Sequence, residues 1–470
     1  LEPIAIENQK LWNYDSPNLY EGTIRLLDGE TELDNVSTYF GQRKVSTEKY
    51  DGRDYEYIYV NNEPVFLSGL LDQGFWEEGV YTAPSEEALK YDIKAMRDRG
   101  FNMIRKHLKI EDPLQYYWAD RLGMFVWQDM PHATYMNAKS NGGETPGRAV
   151  YEYALENMLN RDYNHPSVIA VMLFNETWGI DHNGQKASDG MTTNEWIQHL
   201  YYKTKEINPH LLVEDMSPCN NDHIQPTDLN TFHMYPKGYQ GSKNTVADRE
   251  RNTYPGSANN FWGGFRQESE PWLNSEFGGV AAFDGDYDVS WCFKYQTDIQ
   301  RQYEKLNGYV YTEPYDIEYV RNGVLTYDRR DKIFGYEDVA YGGDMSIIDL
   351  NQPNYVGVDI GPALKAAPGS QYTAPVVAMN WSGETLENPV LKWRFDATDI
   401  YGNYITTGKS GEVPMDFAPY TREQHDISFS LPSQKCVGTF TVWIENNGGK
   451  IARNFVNVIV TNGKDTAPVS

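Results

Sequence analysis

Between about residues 64 and 316, eight short β-rich apolar runs alternate with helical patterns, and this alternation restricts the chain to a parallel sheet wound with helices. The runs are PVFLSGLL, NMIRKHLK, MFVWQD, VIAVMLFNE, LLVEDMS, LNTFHMY, PWLNSEF and GYVYTEPY. Eight strands of this kind predict closure into a (β/α)8 TIM barrel. The intervening helices carry their own boundaries. Ser85 is placed to cap a helix with Glu86 and Glu87 in its first turn, Leu89, Ile93 and Met96 as its apolar stripe, and Gly100 as its stop. Tyr151, Leu155, Met158 and Leu159 form a second stripe, broken at Asn164 to Pro166. Trp196, Ile197, Leu200, Tyr201 and Thr204 form a third, ended by Asn208 and Pro209.

The flanks read differently. Runs such as APVVAMNW, PVLKWRFDAT, HDISFSL, GTFTVWIE and FVNVIV alternate apolar with polar residues between Gly, Pro and Asn turns, which predicts an antiparallel β-sandwich. At the other end, NLYEGTIRLL and TYFGQRKVS also read as strands but are too few to close a sandwich. The expected architecture is therefore multidomain, α/β plus all-β, a TIM barrel with immunoglobulin-like β-sandwich domains on either side. Residues 1–48 are expected as the C-terminal part of one sandwich, with further N-terminal domains of the same protein before it. Residues 49–340 form the barrel, 341–367 a linker and 368–470 the second sandwich.

Two of the eight runs give way to a loop at a glutamate, Glu176 in LFNETW and Glu276 in PWLNSEFGG. Active sites of such barrels lie at the C-terminal strand ends, and a carboxylate pair presented there is the equipment for breaking a glycosidic bond through a covalent intermediate. That route needs the carboxyl groups about 5 to 5.5 Å apart, one ionised as nucleophile and the other protonated as acid. The nucleophile then needs cationic or hydrogen-bonding neighbours, and the acid a drier setting.

Charge and composition agree with a neutral substrate. With 41 Lys and Arg against 67 Asp and Glu, the net charge of −26 repels phosphate backbones and anionic membranes, so a nucleic-acid partner is not expected. No apolar run reaches the roughly 18 residues of a membrane span. Many of the 12 Trp and 35 Tyr sit in Gly/Asn/Pro-rich loops such as GFWEEGVY and NNFWGGF, where flat rings can stack on sugars. Cys219, Cys292 and Cys436 lie far apart without CxxC spacing, which excludes a disulfide framework and a zinc finger. His132, His165 and His182 are scattered loop residues without zinc spacing, so neither metal nor cofactor is expected. The GGD segment and the NGKDT end lack EF-hand ligand spacing. Asp129 and Asp215 sit at other strand ends and read as hydrogen-bonding parts of the cleft wall. An acidic, cysteine-poor hydrolase fits a bacterial periplasmic or secreted setting, and a homo-oligomer is compatible with it.

Longer phrases carry a specific resemblance. RDYNHPSVIAVMLFNETW, from Arg161 to Trp178, resembles the acid/base signature of glycoside hydrolase family 2, which includes β-galactosidases, β-glucuronidases and β-mannosidases, and PWLNSEFGG resembles its nucleophile segment. FNMIRKH, DRLGMFVWQDMP, HMYP and GYVYTE match in the same order, and SPNLY and STYFGQRK resemble the end of the family's immunoglobulin-like domain. The resemblance implies a retaining mechanism with Glu176 as general acid/base and Glu276 as nucleophile. It implies that Arg105 and Tyr235 stand beside the nucleophile and that Asn175 binds the sugar 2-hydroxyl. His107 and Asp72, just past the second and first strands, are candidate hydroxyl ligands. Tyr311, where the family often has a Trp platform, and Glu313 after it are candidate specificity residues.

Departures narrow the substrate. Val320 and Asn322 precede the TYDR phrase where glucuronidases carry Asn and Lys, and Ala133 and Tyr135 replace the Glu and His of the metal-dependent galactosidases. His107 replaces the mannosidase Trp, although its spacing from Asn102 differs by one from the galactosidase pattern. The expected activity is a β-galactosidase-like exo-glycosidase. The alternatives are glucuronidase- or mannosidase-type specificity, or a carbohydrate-binding protein on an inactive barrel.

Overall fold

The computed structural model describes residues 5–132, 146–176, 182, 184–236, 238–278, 288–318 and 320–462, apart from the side chains of 146 and 406–408. Its centre is the expected barrel. The strands are Leu67–Asp72, Met103–Lys106, Phe125–Asp129, Val168–Met172, Leu212–Glu214, Asn230–Met234, Trp272–Gly278 and Leu306–Thr312, taken below as the first to eighth barrel strands. Parallel ladders join them in the order fifth, fourth, third, second, first, eighth, seventh, sixth. Between the fifth and sixth strands the seam is closed by the Asp228 amide donating to Val213 O at 2.9 Å, and by side chains. Thr231 donates to Glu214, and the fully buried His223 places Nδ1 2.7 Å from Asp215 while Nε2 accepts the Thr231 amide at 3.0 Å.

A period of two along each strand decides which side chains enter the barrel. Leu67, Leu71, Met103, Phe125, Trp127, Leu273 and Val310 fill the interior, with Ile58, Val60 and Trp12 plugging the bottom. Ile104, Val126, Phe232, Tyr309 and Tyr311 face the other way and join the larger core beneath the helices. The helix ends follow the sequence. Glu86–Arg97 is capped by Ser85, whose side chain accepts the Ala88 amide, and buries Leu89, Ile93 and Met96. Thr193–Ile207 begins with a capping box of Thr192 and Glu195 and ends at Asn208. None of the described helices is long and apolar enough to cross a membrane, and no disulfide joins the three cysteines.

The C-terminal region forms two sheets. One contains Asn354–Val358, Gln371–Asn380 and Thr421–Ser430; the other contains Ala363–Ala366, Val390–Thr398, Tyr404–Pro414, Cys436–Asn446 and Gly449–Val460. Two of these strands fall inside 341–367, the stretch expected as a linker. They are short runs bounded by Pro and Gly, and only pairing with distant strands reveals them. Tyr404–Pro414 also went unexpected, because its polar, Gly-containing sequence lacks alternation. Residues 20–40 form a two-stranded hairpin exposing Ile24, Leu26 and Val36. Barrel and sandwich share one core, in which Trp381 lies against Tyr50, Tyr57 and Phe66.

Candidate active site

The C-terminal barrel mouth collects both glutamates. Glu276 stands on the seventh strand just past a bulge, where His233 pairs with Glu276 although the preceding Phe232 pairs with Asn274. The extra residue, Ser275, breaks the alternation and re-aims the carboxylate. Glu176 follows the fourth strand with φ +56°, in a segment extended by the Glu176 amide donating to Ser217 O at 2.9 Å. One oxygen of each carboxylate and a ring nitrogen of His233 all lie within 4.8 Å of one another.

The sixth strand supplies the bridge. Thr231, His233 and Tyr235 share a face by the two-residue period. His233 sets Nδ1 2.6 Å from Glu176 Oε1 and 3.5 Å from Glu276 Oε2, and its Nε2 lies 2.8 Å from Ser217 Oγ. Ser217 Oγ in turn lies 2.7 Å from Ser275 Oγ, which ties the ring to the seventh strand. Tyr235 donates its hydroxyl to Glu276 Oε1 at 2.7 Å while its ring remains partly exposed.

Arg105, fully buried, is the cation of the site. Nε donates to Asp129 at 3.0 Å, Nη1 to Ser275 O at 2.8 Å and to Glu276 Oε2 at 3.4 Å, and Nη2 to Asn175 Oδ1 at 2.7 Å. Burial disfavours its charge, but Asp129 and Glu276 outweigh that and hold it above its ordinary range. Burial likewise pushes Asp129 up, and Arg105 with His107 overcomes this to leave the carboxyl below its usual value. With Oδ1 committed to Arg105, the Asn175 amide nitrogen has no partner among the described residues. Its backbone groups meet His132 Nε2, 3.0 Å from the Asn175 carbonyl.

The remaining candidates are distributed as follows. His107 places Nδ1 3.0 Å from Asp129 Oδ2. Asp72 follows the outward parity of the first strand and accepts from Lys106 Nζ and the Gly74 amide at 2.8 and 2.7 Å, and from Tyr315. Lys106 and Tyr315 hold it far below the carboxylate range although burial opposes this. Tyr311 turns outward into Phe277 and Phe293 and donates to Asn322 O at 2.6 Å. Glu313 is fully buried; among the described residues its carboxyl meets only Gln73 Nε2, at 3.4 Å, and Oε2 has no partner. Burial, together with Asp72 and Glu276, pushes it well above the usual range. Asp129 is the anchor of Arg105, and Asp215 belongs to the seam. His233 and Ser217 are the residues that sequence reasoning missed; HMYP contains the histidine, and its parity with Tyr235 is the available signal. Ala133 and Tyr135 lie outside the described residues.

The chain resembles known proteins over most of its length. The family models described as glycosyl hydrolases family 2, TIM barrel domain, and glycosyl hydrolases family 2 match residues 53–346 and 2–43. A putative β-glucuronidase of Formosa agariphila is 26% identical over 277 residues, covering 58% of this chain and 30% of that protein. A β-galactosidase of Leuconostoc mesenteroides is 28% identical over 458 residues, 92% of this chain and 39% of the relative. Among solved structures, the apo β-glucuronidase 3 of Bacteroides uniformis has a TM-score of 0.57 at 17% identity, over 97% of this chain and 56% of that one. A family 2 β-galacturonidase from Eisenbergiella tayi bound to galacturonate has a TM-score of 0.58 at 19% identity, over 75% and 61%. At these identities the solved structures share the fold. The chain spans well under half of these curated relatives. Because the barrel model alone matches residues 53–346, more than half of it, the chain belongs to glycosyl hydrolases family 2.

Proposed function

We propose that this chain carries the catalytic barrel of a retaining exo-β-glycosidase that releases a neutral, terminal β-linked sugar, a β-galactoside in the first instance. The observation that carries the reading is the meeting of Glu176, Glu276 and His233 atoms within 4.8 Å at the barrel mouth. That spacing suits a direct attack on the anomeric carbon better than the wider gap of about 6.5 to 9.5 Å needed when a water stands between the carboxylates. In this reading Glu276 attacks the anomeric carbon while Glu176 gives its proton to the departing glycosidic oxygen. Glu176 then takes a proton from water, whose oxygen displaces the Glu276 ester. Arg105 and Tyr235 hold and aim the Glu276 carboxylate, and the Asn175 amide donates to the sugar 2-hydroxyl. In the same reading His107 is a further ligand of the sugar, and Asp72, Tyr311 and the buried Glu313 are supports of the wall. Residues 49–340 constitute the barrel unit, and we place the start of the second sandwich at Asn354.

A neutral sugar is supported by the cations. Arg105 is committed to Asp129 and Glu276, Lys106 to Asp72 and Glu111, and Arg329 to Asp92. A uronate would meet this acidic wall without a spare cation from those three. The putative β-glucuronidases among the relatives favour a second reading in which the sugar is a uronic acid. A panel of nitrophenyl galactosides, glucosides, mannosides, fucosides, arabinosides and glucuronides separates the two. The mechanism is tested by mass spectrometry after exposure to the matching 2-fluoro glycosyl fluoride. A stable adduct on Glu276 is expected, and an adduct elsewhere, or unchanged turnover in Glu276→Gln, would overturn the assignment.

A further inference from the structure

We propose that the outer face of the C-terminal sandwich carries a second, non-catalytic saccharide-binding groove. The face is built by cross-strand pairs of one parity. Arg394 lies opposite Thr441, Asp396 opposite Thr439, and Thr398 opposite Val437, while the intervening Phe395, Ala397, Phe440 and Val442 point into the sandwich core. An outward polar face is ordinarily only a solvated surface. Here the segment Asp338–Tyr341 lies along it and Tyr404 borders it, which turns the sheet into a groove of about 580 Å³. That volume falls within the roughly 300–1,000 Å³ of small-ligand sites.

The groove is organised before any ligand arrives. The Tyr341 amide donates to Thr441 Oγ1 at 3.0 Å, its ring lies 5.9 Å from that of Trp443, and the Arg394 guanidinium sits 4.1 Å over the same ring. Tyr341 nevertheless stays 43% exposed, and Tyr404 is 76% exposed. Arg394 is in turn held by Asp396 through Nε at 2.6 Å and Nη2 at 2.9 Å, which leaves Nη1 to donate outward. The Thr398 and Thr439 hydroxyls have no partner among the described residues. The groove thus offers a fixed aromatic ring, threonine hydroxyls and a guanidinium whose charge is balanced by its neighbour. That set fits a neutral polyhydroxylated chain with apolar C–H faces, which means a saccharide. A glycosidase anchored this way would hold a polymer near the barrel and gain effective concentration without new contacts at the reacting bond.

The groove does not depend on the assignment of the two glutamates, and the experiment separates them. The Glu276→Gln protein is run in native gels containing β-1,4-galactan, mixed-linkage β-glucan, xylan, galactomannan or arabinogalactan. Retardation by at least one polymer is expected, with retention about tenfold weaker in Tyr341→Ala and reduced in Tyr404→Ala. In protein with Glu276 intact, the same two substitutions should leave nitrophenyl glycoside turnover and the melting midpoint unchanged. Absence of retardation by all five polymers, or equal retention in both variants, would overturn the groove as a saccharide site. A missing 2-fluoro adduct on Glu276 would instead count against the barrel mechanism alone.

Discussion

Asn175→Ala tests whether the amide beside Glu176 reads the sugar 2-hydroxyl, as proposed. Asn175 is only 4% exposed, and its Oδ1 is fixed by Arg105 Nη2 at 2.7 Å, so the amide nitrogen remains to donate. A hydrogen bond to a group gaining charge is worth about 1.5–3 kcal/mol, and the 2-hydroxyl contact strengthens as positive charge develops on the ring. At about 1.4 kcal/mol per factor of ten, truncation should lower kcat/KM by about 10- to 200-fold, mostly in kcat. The comparison that isolates the contact uses the 2-deoxy glycoside, which has no hydroxyl to lose. Parent and variant are measured on both substrates by release of nitrophenol. On the 2-deoxy sugar the substitution should cost less than about threefold, since only indirect loosening of Arg105 remains. An equal loss on both substrates would refute the argument and make Asn175 a support for Arg105 instead.

Other outcomes follow from the same geometry. A Cβ added at Gly278 would lie 2.7 Å from Asn322 Nδ2 and 3.0 Å from the Tyr235 ring, so Gly278→Ala should displace the tyrosine from Glu276 and lower kcat by about tenfold or more with little change in melting midpoint. The check is steady-state kinetics beside a thermal scan, and unaltered kcat would show that the Tyr235 contact is dispensable. Glu214, whose burial and neighbouring Asp215 raise its carboxyl to about 8, binds a proton in the folded state that the unfolded chain releases near its ordinary value. Its stabilising contribution is therefore complete below about pH 4.5 and is lost as pH rises through about 8. Urea midpoints measured from pH 5 to 9 should fall with pH in the parent and fall less in Glu214→Gln; parallel profiles would remove Glu214 as the cause. Glu176, His233 and Glu276 present three ligand atoms close enough for one borderline-soft cation, so added Zn²⁺ should inhibit and a chelator restore turnover. Inhibition that persists in His233→Gln at the parent's zinc affinity would place the ion elsewhere.

The sequence by itself determined the barrel and the two glutamates, because both are written locally. Apolar runs such as VIAVMLF and PWLNS can be buried only as strands between helices, and Glu176 and Glu276 follow where those runs stop. Arg105 and Tyr235 were legible for a related reason, each lying inside a short phrase whose residues occupy consecutive, fixed positions. Facing was partly legible. Asp72 and Tyr311 share parity with outward residues, and counting by twos along LNTFHMY brings His233 to the face of Tyr235. The tertiary structure alone decided what depends on pairing between segments far apart in the chain. The irregularity at Ser275 exists only through pairing with the sixth and eighth strands, and it re-aims Glu276 toward the barrel mouth. The sharing of His233 between both glutamates, the four contacts of Arg105 and the groove beneath Tyr341 arise the same way. Short-range periodicity records which residues must leave water; the distances between carboxylates are set by how the separate strands register once they have done so.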